Sequence, residues 1–220
     1  MSAEAASVEA RARLSLGRSD RRIHETVAAA LATRGARGVV ADVGCGGGDL
    51  WPLLRGTFQD CIGLDAVRYP GLPADVEFRA IDLDRGTLPL ADASVDAAVA
   101  IEVVEHLENP RAFARELSRI VKPGGWVVWT TPNQLSALSL LTLAVKGRFS
   151  AFQDAEYPAH RTALLEIDLR RIMLECGLRD IDMTFTCHGR LPLSARHYPR
   201  ALAQLSPRRF SDNIVAIGRR

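Results

Sequence analysis

The chain has 220 residues, a formal net charge of +2, 47% hydrophobic residues and 25% charged residues. That length suits one domain with a well-buried core, and the composition excludes wholesale disorder. Charge this near balance is no basis for nucleic-acid binding, and the most apolar window, Leu135 to Val145, is too short to span a bilayer. Cys45, Cys61, Cys176 and Cys187 form no C-x-x-C pair and read as scattered reduced thiols, so a cytoplasmic protein is expected. The first residues are acidic in part and lack an apolar h-region, which argues against a signal peptide.

Residues 1–9 are small and polar and are expected to fray. Ser19-Asp20 offers an N-cap to a helix whose stripe is Ile23, Val27, Ala30 and Leu31. Val39 to Val43 reads as a strand that empties into Gly44-Cys45-Gly46-Gly47-Gly48. Glycine belongs where backbone turns sharply or approaches a ligand, and a strand, a glycine turn and a helix N-terminus together predict free N–H groups at a sheet edge. A short helix is expected from Asp49 to Arg55, with Pro52 tolerable near its first turn. A second strand ends at Asp65, and a third, Val76 to Ile81, has Asp82 just past its end. Leu88 to Asp92 is a loop, and Val95 to Ile101 is an apolar run suited to a strand buried on both faces.

Asn109-Pro110 starts a helix with Phe113, Leu117, Ile120 and Val121 as its apolar stripe. Lys122-Pro123-Gly124-Gly125 stops it before a fifth strand, Trp126 to Thr131. Leu135 to Val145 is a further amphipathic helix, read either as core cover or as a lid able to touch lipid. Leu164 to Cys176 is a helix ended by Gly177, and Asp180 to Cys187 and Asn213 to Ile217 are late strands. Strands alternating with helices predict an α/β fold, a doubly wound and mostly parallel sheet. No repeat or second domain is evident, so one domain over 1–220 is expected, with 1–37 as a helical cap and 134–160 as a lid segment.

The glycines stand at 44, 46 and 48, and Asp49 takes the third position of a G-x-G-x-x-G fingerprint. A carboxylate there would repel a pyrophosphate, and no P-loop pattern is present. A ligand with a ribose and no phosphate fits better, its hydroxyls taken by Asp65 roughly twenty residues after the turn.

These residues carry a resemblance. Asp42-Val43-Gly44-Cys45-Gly46-Gly47-Gly48 resembles the first motif of class I S-adenosylmethionine-dependent methyltransferases, and Gly63-Leu64-Asp65 resembles their second. Ala100 to Leu107 and Leu117 to Gly125 resemble their signatures around strands four and five. The resemblance covers about residues 38–133 and implies a Rossmann-like sheet of seven strands, closed by an antiparallel hairpin, with S-adenosyl-L-methionine as cofactor. It implies Asp42, Gly44, Cys45, Gly46, Asp65, Asp82, Leu83 and Ile101 as the cofactor-binding set. Within it, Gly44 and Cys45 backbone would face the methionine part, and Asp42 would hold either the turn or the cofactor's ammonium. Asp82, or Asp84 in its place, would meet the adenine beside the Leu83 N–H.

Glu102, Glu105 and His106 form E-x-x-E-H, spaced to share one face if the segment is helical. The pattern also occurs in ubiquinone-pathway O-methyltransferases and small-RNA ribose methyltransferases, some of which hold a divalent cation with a later histidine, here His160. Arg161-Thr162 departs from the aromatic pattern of the RNA enzymes. His106 is the candidate catalytic base or substrate contact, with no metal in the expected site. The expected activity is methyl transfer to oxygen of a small-molecule or glycan acceptor; the alternatives are a non-catalytic cofactor-binding module and an RNA ribose methyltransferase. His188, Arg190, Arg196, His197, Arg200, Arg208 and Arg209 read as a solvated face or as the holder of an anionic acceptor.

Overall fold

In the computed structural model the described residues are 17–220 except Arg85. The expectation for residues 1–9 lies outside them. Seven strands form one sheet: β1 (Gly38–Val43), β2 (Phe58–Asp65), β3 (Glu77–Ala80), β4 (Val95–Ala100), β5 (Val121–Pro132), β6 (Arg179–Phe185) and β7 (Asn213–Arg219). Their order is β3-β2-β1-β4-β5-β7-β6. The pairs from β3 through β5 are parallel, and β7 runs antiparallel to both β5 and β6.

The helices are α1 (Arg21–Ala32), α2 (Trp51–Leu54), α3 (Pro110–Ile120), α4 (Ala137–Lys146), α5 (Glu166–Glu175) and α6 (Arg200–Leu205). The period-two alternation of β1 divides the core. Ala41 and Val43 pack with Phe113, Leu117, Leu169 and Met173 of α3 and α5 on one face. Val40 packs with Ile23, Val27 and Leu31 of α1 and Trp51 and Leu54 of α2 on the other. Asp42 shares the Val40 side by the same alternation.

Helix starts follow the chemistry of their caps. The Asp20 carboxylate accepts from the Arg22 N–H, and the Asn109 side chain accepts from the Ala112 N–H with Pro110 following. The helix expected over 49–55 is a single turn, because Pro52 sits at its start and Arg55 already caps it.

Lys122 to Gly125 does not end a helix in a free turn. It is part of β5, as a bulge opposite β4, where the register shifts between Val95 and Ala97. Lys122 Nζ reaches both Asp96 oxygens at 2.9 Å, and Asp96 also accepts from the Val39 N–H at 2.8 Å. One carboxylate thus joins three neighbouring strands, which explains a charged residue near the start of a buried strand. Helix α4 exposes Leu140, Leu141, Leu143 and Val145. Among the described residues no helix is long and apolar enough to cross a membrane.

Candidate active site

In this strand order the chain leaves β1 to opposite sides, toward β2 and toward β4. Such a switch point opens a crevice at the carboxyl ends of the strands. A cavity of about 470 Å³ lies there, lined by Asp42, Gly44, Cys45, Asp65, Asp82, Leu83, Ile101 and His106 among others. Each of those residues is at, or just past, the end of a parallel strand. Gly17, Arg18, Ser19 and His24 close one side, so the start of α1 lies over the cleft edge. Ala155 and Tyr157 to His160 close another; the lid expected over 134–160 reaches the cleft only through this late part, and α4 does not line it.

The glycine turn corrects one expectation. Its N–H groups are not free. Gly44 and Cys45 donate to the Leu64 carbonyl at 2.6 and 3.2 Å, Gly46 to the Asp65 carboxylate at 2.9 Å, Gly47 to the Gly17 carbonyl at 3.2 Å and Gly48 to the Cys45 carbonyl at 2.8 Å. The turn therefore offers a ligand carbonyls and open space, not donors. Gly44 has φ +79°, and a Cβ there would strike the Val103 side chain. Gly46 has φ +50°, and a Cβ there would strike the Gly17 carbonyl. Gly46 does not line the cavity; it fixes Asp65, which does.

Two carboxylates behind the turn are held out of water. Burial raises Asp42 to about 7, with the charges of Asp65 and Asp49 adding to the effect. Burial also raises Asp65, opposed by hydrogen bonds from the Gly46 and Val67 amides. An uncompensated negative site of this kind favours a cationic ligand. At the β3 end, Asp82 accepts from the Asp84 N–H at 3.1 Å. Asp84 is itself engaged by the Glu108 N–H at 2.9 Å and lies 3.5 Å from Arg161 Nη1.

The E-x-x-E-H pattern is not one helical face. Glu102 has φ +54°, and a single 3-10 turn, Val104–His106, follows. The Glu102 carboxylate accepts from Thr130 Oγ1 at 3.1 Å and Asn213 Nδ2 at 2.9 Å, away from the other two residues. Burial raises Glu102 to about 7. Glu105 is fully buried, with the Thr131 side chain as its one hydrogen-bonding side-chain neighbour among the described residues. Burial, then the nearby Glu102 charge, holds it well above the usual carboxylate range.

His106 Nδ1 lies 2.9 Å from the Ala159 carbonyl. A carbonyl only accepts, so Nδ1 carries the hydrogen of that bond. His160 is arranged alike on the Ala151 carbonyl, and the two rings are 4.8 Å apart. Burial pulls the His106 imidazole below its ordinary value, the neighbouring His160 adds to that, and the Ala159 carbonyl opposes it. Glu105, His106 and His160 bring one ligand atom each within 4.8 Å of one another, a donor set a divalent cation accepts. Glu102 is not part of it.

Comparison with known proteins decides the family. The profile of a methyltransferase-domain family matches residues 16–182. The chain belongs to that methyltransferase family. S-adenosylmethionine is the methyl donor that goes with it, and a phosphate-free nucleoside with a cationic tail suits the acidic, pyrophosphate-hostile turn. The chain is 31% identical over 182 residues to a probable S-adenosylmethionine-dependent methyltransferase of Mycolicibacterium smegmatis, covering 80% of this chain and 66% of that one. It is 34% identical over 104 residues to a ubiquinone biosynthesis O-methyltransferase of Bordetella avium, covering 43% of each. The chain thus spans two thirds or less of these curated relatives. A methyltransferase structure from Archaeoglobus fulgidus shares the fold, with a TM-score of 0.62 at 20% identity, over 90% of this chain and 94% of that one.

Methyltransferase pH behaviour follows from Asp42. Its folded-state value lies above the ordinary 3.8, so this group's contribution to stability is complete below that value and is lost as pH rises toward 7. A cationic ligand favours the ionised carboxylate. S-adenosylmethionine affinity is therefore expected to rise between about one pH unit below and one above 7, more than that of S-adenosylhomocysteine, which lacks the sulfonium charge. Isothermal titration at several pH values checks this; affinity independent of pH through that range would refute a role for Asp42 at the cofactor's positive end.

One feature of the cleft was not legible in the sequence. His24 is buried in α1 between apolar stripe residues, where sequence gives it no chemical signature.

Proposed function

We propose that the protein transfers the methyl group of S-adenosylmethionine to a hydroxyl oxygen of a small-molecule or glycan acceptor, with His106 as general base. The observation that carries this is the His106 imidazole, its Nδ1 held by the Ala159 carbonyl and its affinity for a proton lowered by burial, in the same cleft as Asp65 and Gly44. The bound cofactor supplies an activated methyl group, so the protein's work is mainly alignment. Asp65 holds the ribose hydroxyls. Asp82 and the Leu83 amide meet the adenine edge, and Asp82 is preferred to Asp84 because Asp84 is spent on Glu108 and Arg161. Asp42 balances the positive end. His106 takes the hydroxyl proton as the oxygen bonds to the methyl carbon.

The partial likeness to ubiquinone O-methyltransferases supports oxygen as the acceptor atom. Near-balanced charge argues against an RNA substrate. Free thiols at Cys45, Cys61, Cys176 and Cys187 support a reducing compartment such as the cytoplasm.

A thermal-shift measurement with S-adenosylhomocysteine, followed by transfer of labelled methyl from S-adenosylmethionine to an alcohol panel, tests the reading. A site confined to the folded state raises the melting point as ligand rises above its Kd. Absence of that shift overturns the cofactor assignment. Transfer to nitrogen or carbon acceptors only overturns the role of His106 toward a hydroxyl.

A further inference from the structure

A second cavity, of about 220 Å³, opens beside the main cleft. Its polar lining includes Asp20, His188, Arg190, His197, Asp212 and Asn213. Three junctions form the partition between the two cavities. Asn213 Nδ2 donates to the Glu102 carboxylate at 2.9 Å, His160 Nδ1 donates to the Ala151 carbonyl, and Asp20 follows Ser19 in the chain. Glu102, His160 and Ser19 line the main cleft, while Asn213, Ala151 and Asp20 line the second cavity. The second cavity therefore adjoins the main cleft across these junctions.

Its chemistry is specific. The His188 and His197 rings stack at 3.7 Å with 14° between their planes. Burial and the neighbouring His197 pull His188 below its ordinary value, opposed by the Asp20 and Asp212 carboxylates. Arg190 donates through its backbone N–H at 3.1 Å and Nε at 3.0 Å to the same Asp212 oxygen. The Asp20 carboxylate lies 3.6 Å from His188 Nε2. Among the lining residues Arg190 is the one permanent cation, and Asp212 already neutralises it. Asp20 then leaves the cavity hostile to an anion, against the anionic-acceptor reading of the late basic residues. Arg196, Arg200, Arg208 and Arg209 line neither cavity. Carboxylates, a carboxamide and imidazole nitrogens offer paired acceptors and donors to vicinal hydroxyls, and stacked rings offer a flat face.

We propose that this second cavity is the subsite for a sugar ring of the acceptor, a neutral polyhydroxylated group held by Asp20, Asp212 and Asn213 beside the stacked His188–His197 pair. The inference rests on the methyltransferase reading and narrows its acceptor to a saccharide. It is tested by saturation-transfer NMR with methyl glycosides and short oligosaccharides, with inorganic phosphate as competitor. Spectra are taken with and without S-adenosylhomocysteine.

Glycosides are expected to give transfer signals that phosphate does not displace. Asp212→Ala is expected to weaken them by about tenfold or more, as a charged hydrogen-bond partner is lost. His197→Ala, at an exposed position, is expected to weaken them while leaving the S-adenosylhomocysteine melting shift unchanged. Displacement of the glycosides by phosphate in the wild-type protein would overturn the proposal in favour of an anion site. So would an absence of glycoside signal in protein that still shows the S-adenosylhomocysteine shift, which leaves the methyltransferase reading standing. Loss of the shift itself sinks that reading, and the spectra without cofactor still report on the subsite.

Discussion

Asp65→Ala is expected to weaken S-adenosylhomocysteine binding by about a hundredfold to a thousandfold. The carboxylate lies at the end of β2, its Oδ2 taking the Gly46 N–H at 2.9 Å. Its other oxygen, Oδ1, is 3.4 Å from the Val67 amide and is available to a ribose. Alanine removes the carboxylate proposed to hold the ribose and also orphans the Gly46 N–H. Part of the loss would then come from a loosened turn. Asp65→Asn separates the two, since an amide oxygen still accepts from Gly46 but without charge. Calorimetry on both variants, beside their melting points, checks this. Affinity within about threefold of wild type in Asp65→Ala would remove Asp65 from the ribose site.

His106→Ala is expected to lower kcat by about a hundredfold to ten-thousandfold, the range of a positioned general base, with S-adenosylhomocysteine affinity unchanged. The imidazole is not needed to hold the sheet. Its one hydrogen bond to the wall is to the Ala159 carbonyl, and the Arg161 and Thr162 amides tie that wall independently to the Glu105 carbonyl at 2.9 and 3.0 Å. A base also predicts an acid limb in the pH–rate profile that disappears in the variant. Its midpoint should lie below the ordinary histidine value, because burial disfavours imidazolium. If a chelator silences the wild-type enzyme as fully as the substitution does, His106 is instead a metal ligand with Glu105 and His160. Turnover preserved in His106→Ala would rule out both roles.

The sheet was readable because its strands must be apolar on both faces and its turns must be glycine. Val39 to Val43, apolar but for Asp42, empties into the glycine turn, and Val95 to Ala100 is apolar but for Asp96. Asp65 could be named from its spacing after the glycine turn, and Asp82 and Ile101 from the resemblance alone; all three line the cleft because strand ends in a parallel sheet converge on one edge. Three things were not readable. E-x-x-E-H carries helical spacing, yet positive φ at Glu102 breaks the periodicity, and sequence does not encode that break. Helix α6 leaves Leu202 and Leu205 exposed, so it has no buried stripe to detect. The second cavity draws on residues as distant as Asp20, Ser150, His188 and Asp212, brought together only by the antiparallel return of β7.

The glycine bend, with every amide from Gly44 to Gly48 already satisfied by its own neighbours, implies a receptor that is rigid before its guest arrives. Little conformational entropy is left to surrender there on association, so the interaction free energy of the nucleoside reaches the dissociation constant largely undiminished. Capture on this side should resemble a key entering a finished lock, leaving adaptation to the opposite bank of the crevice.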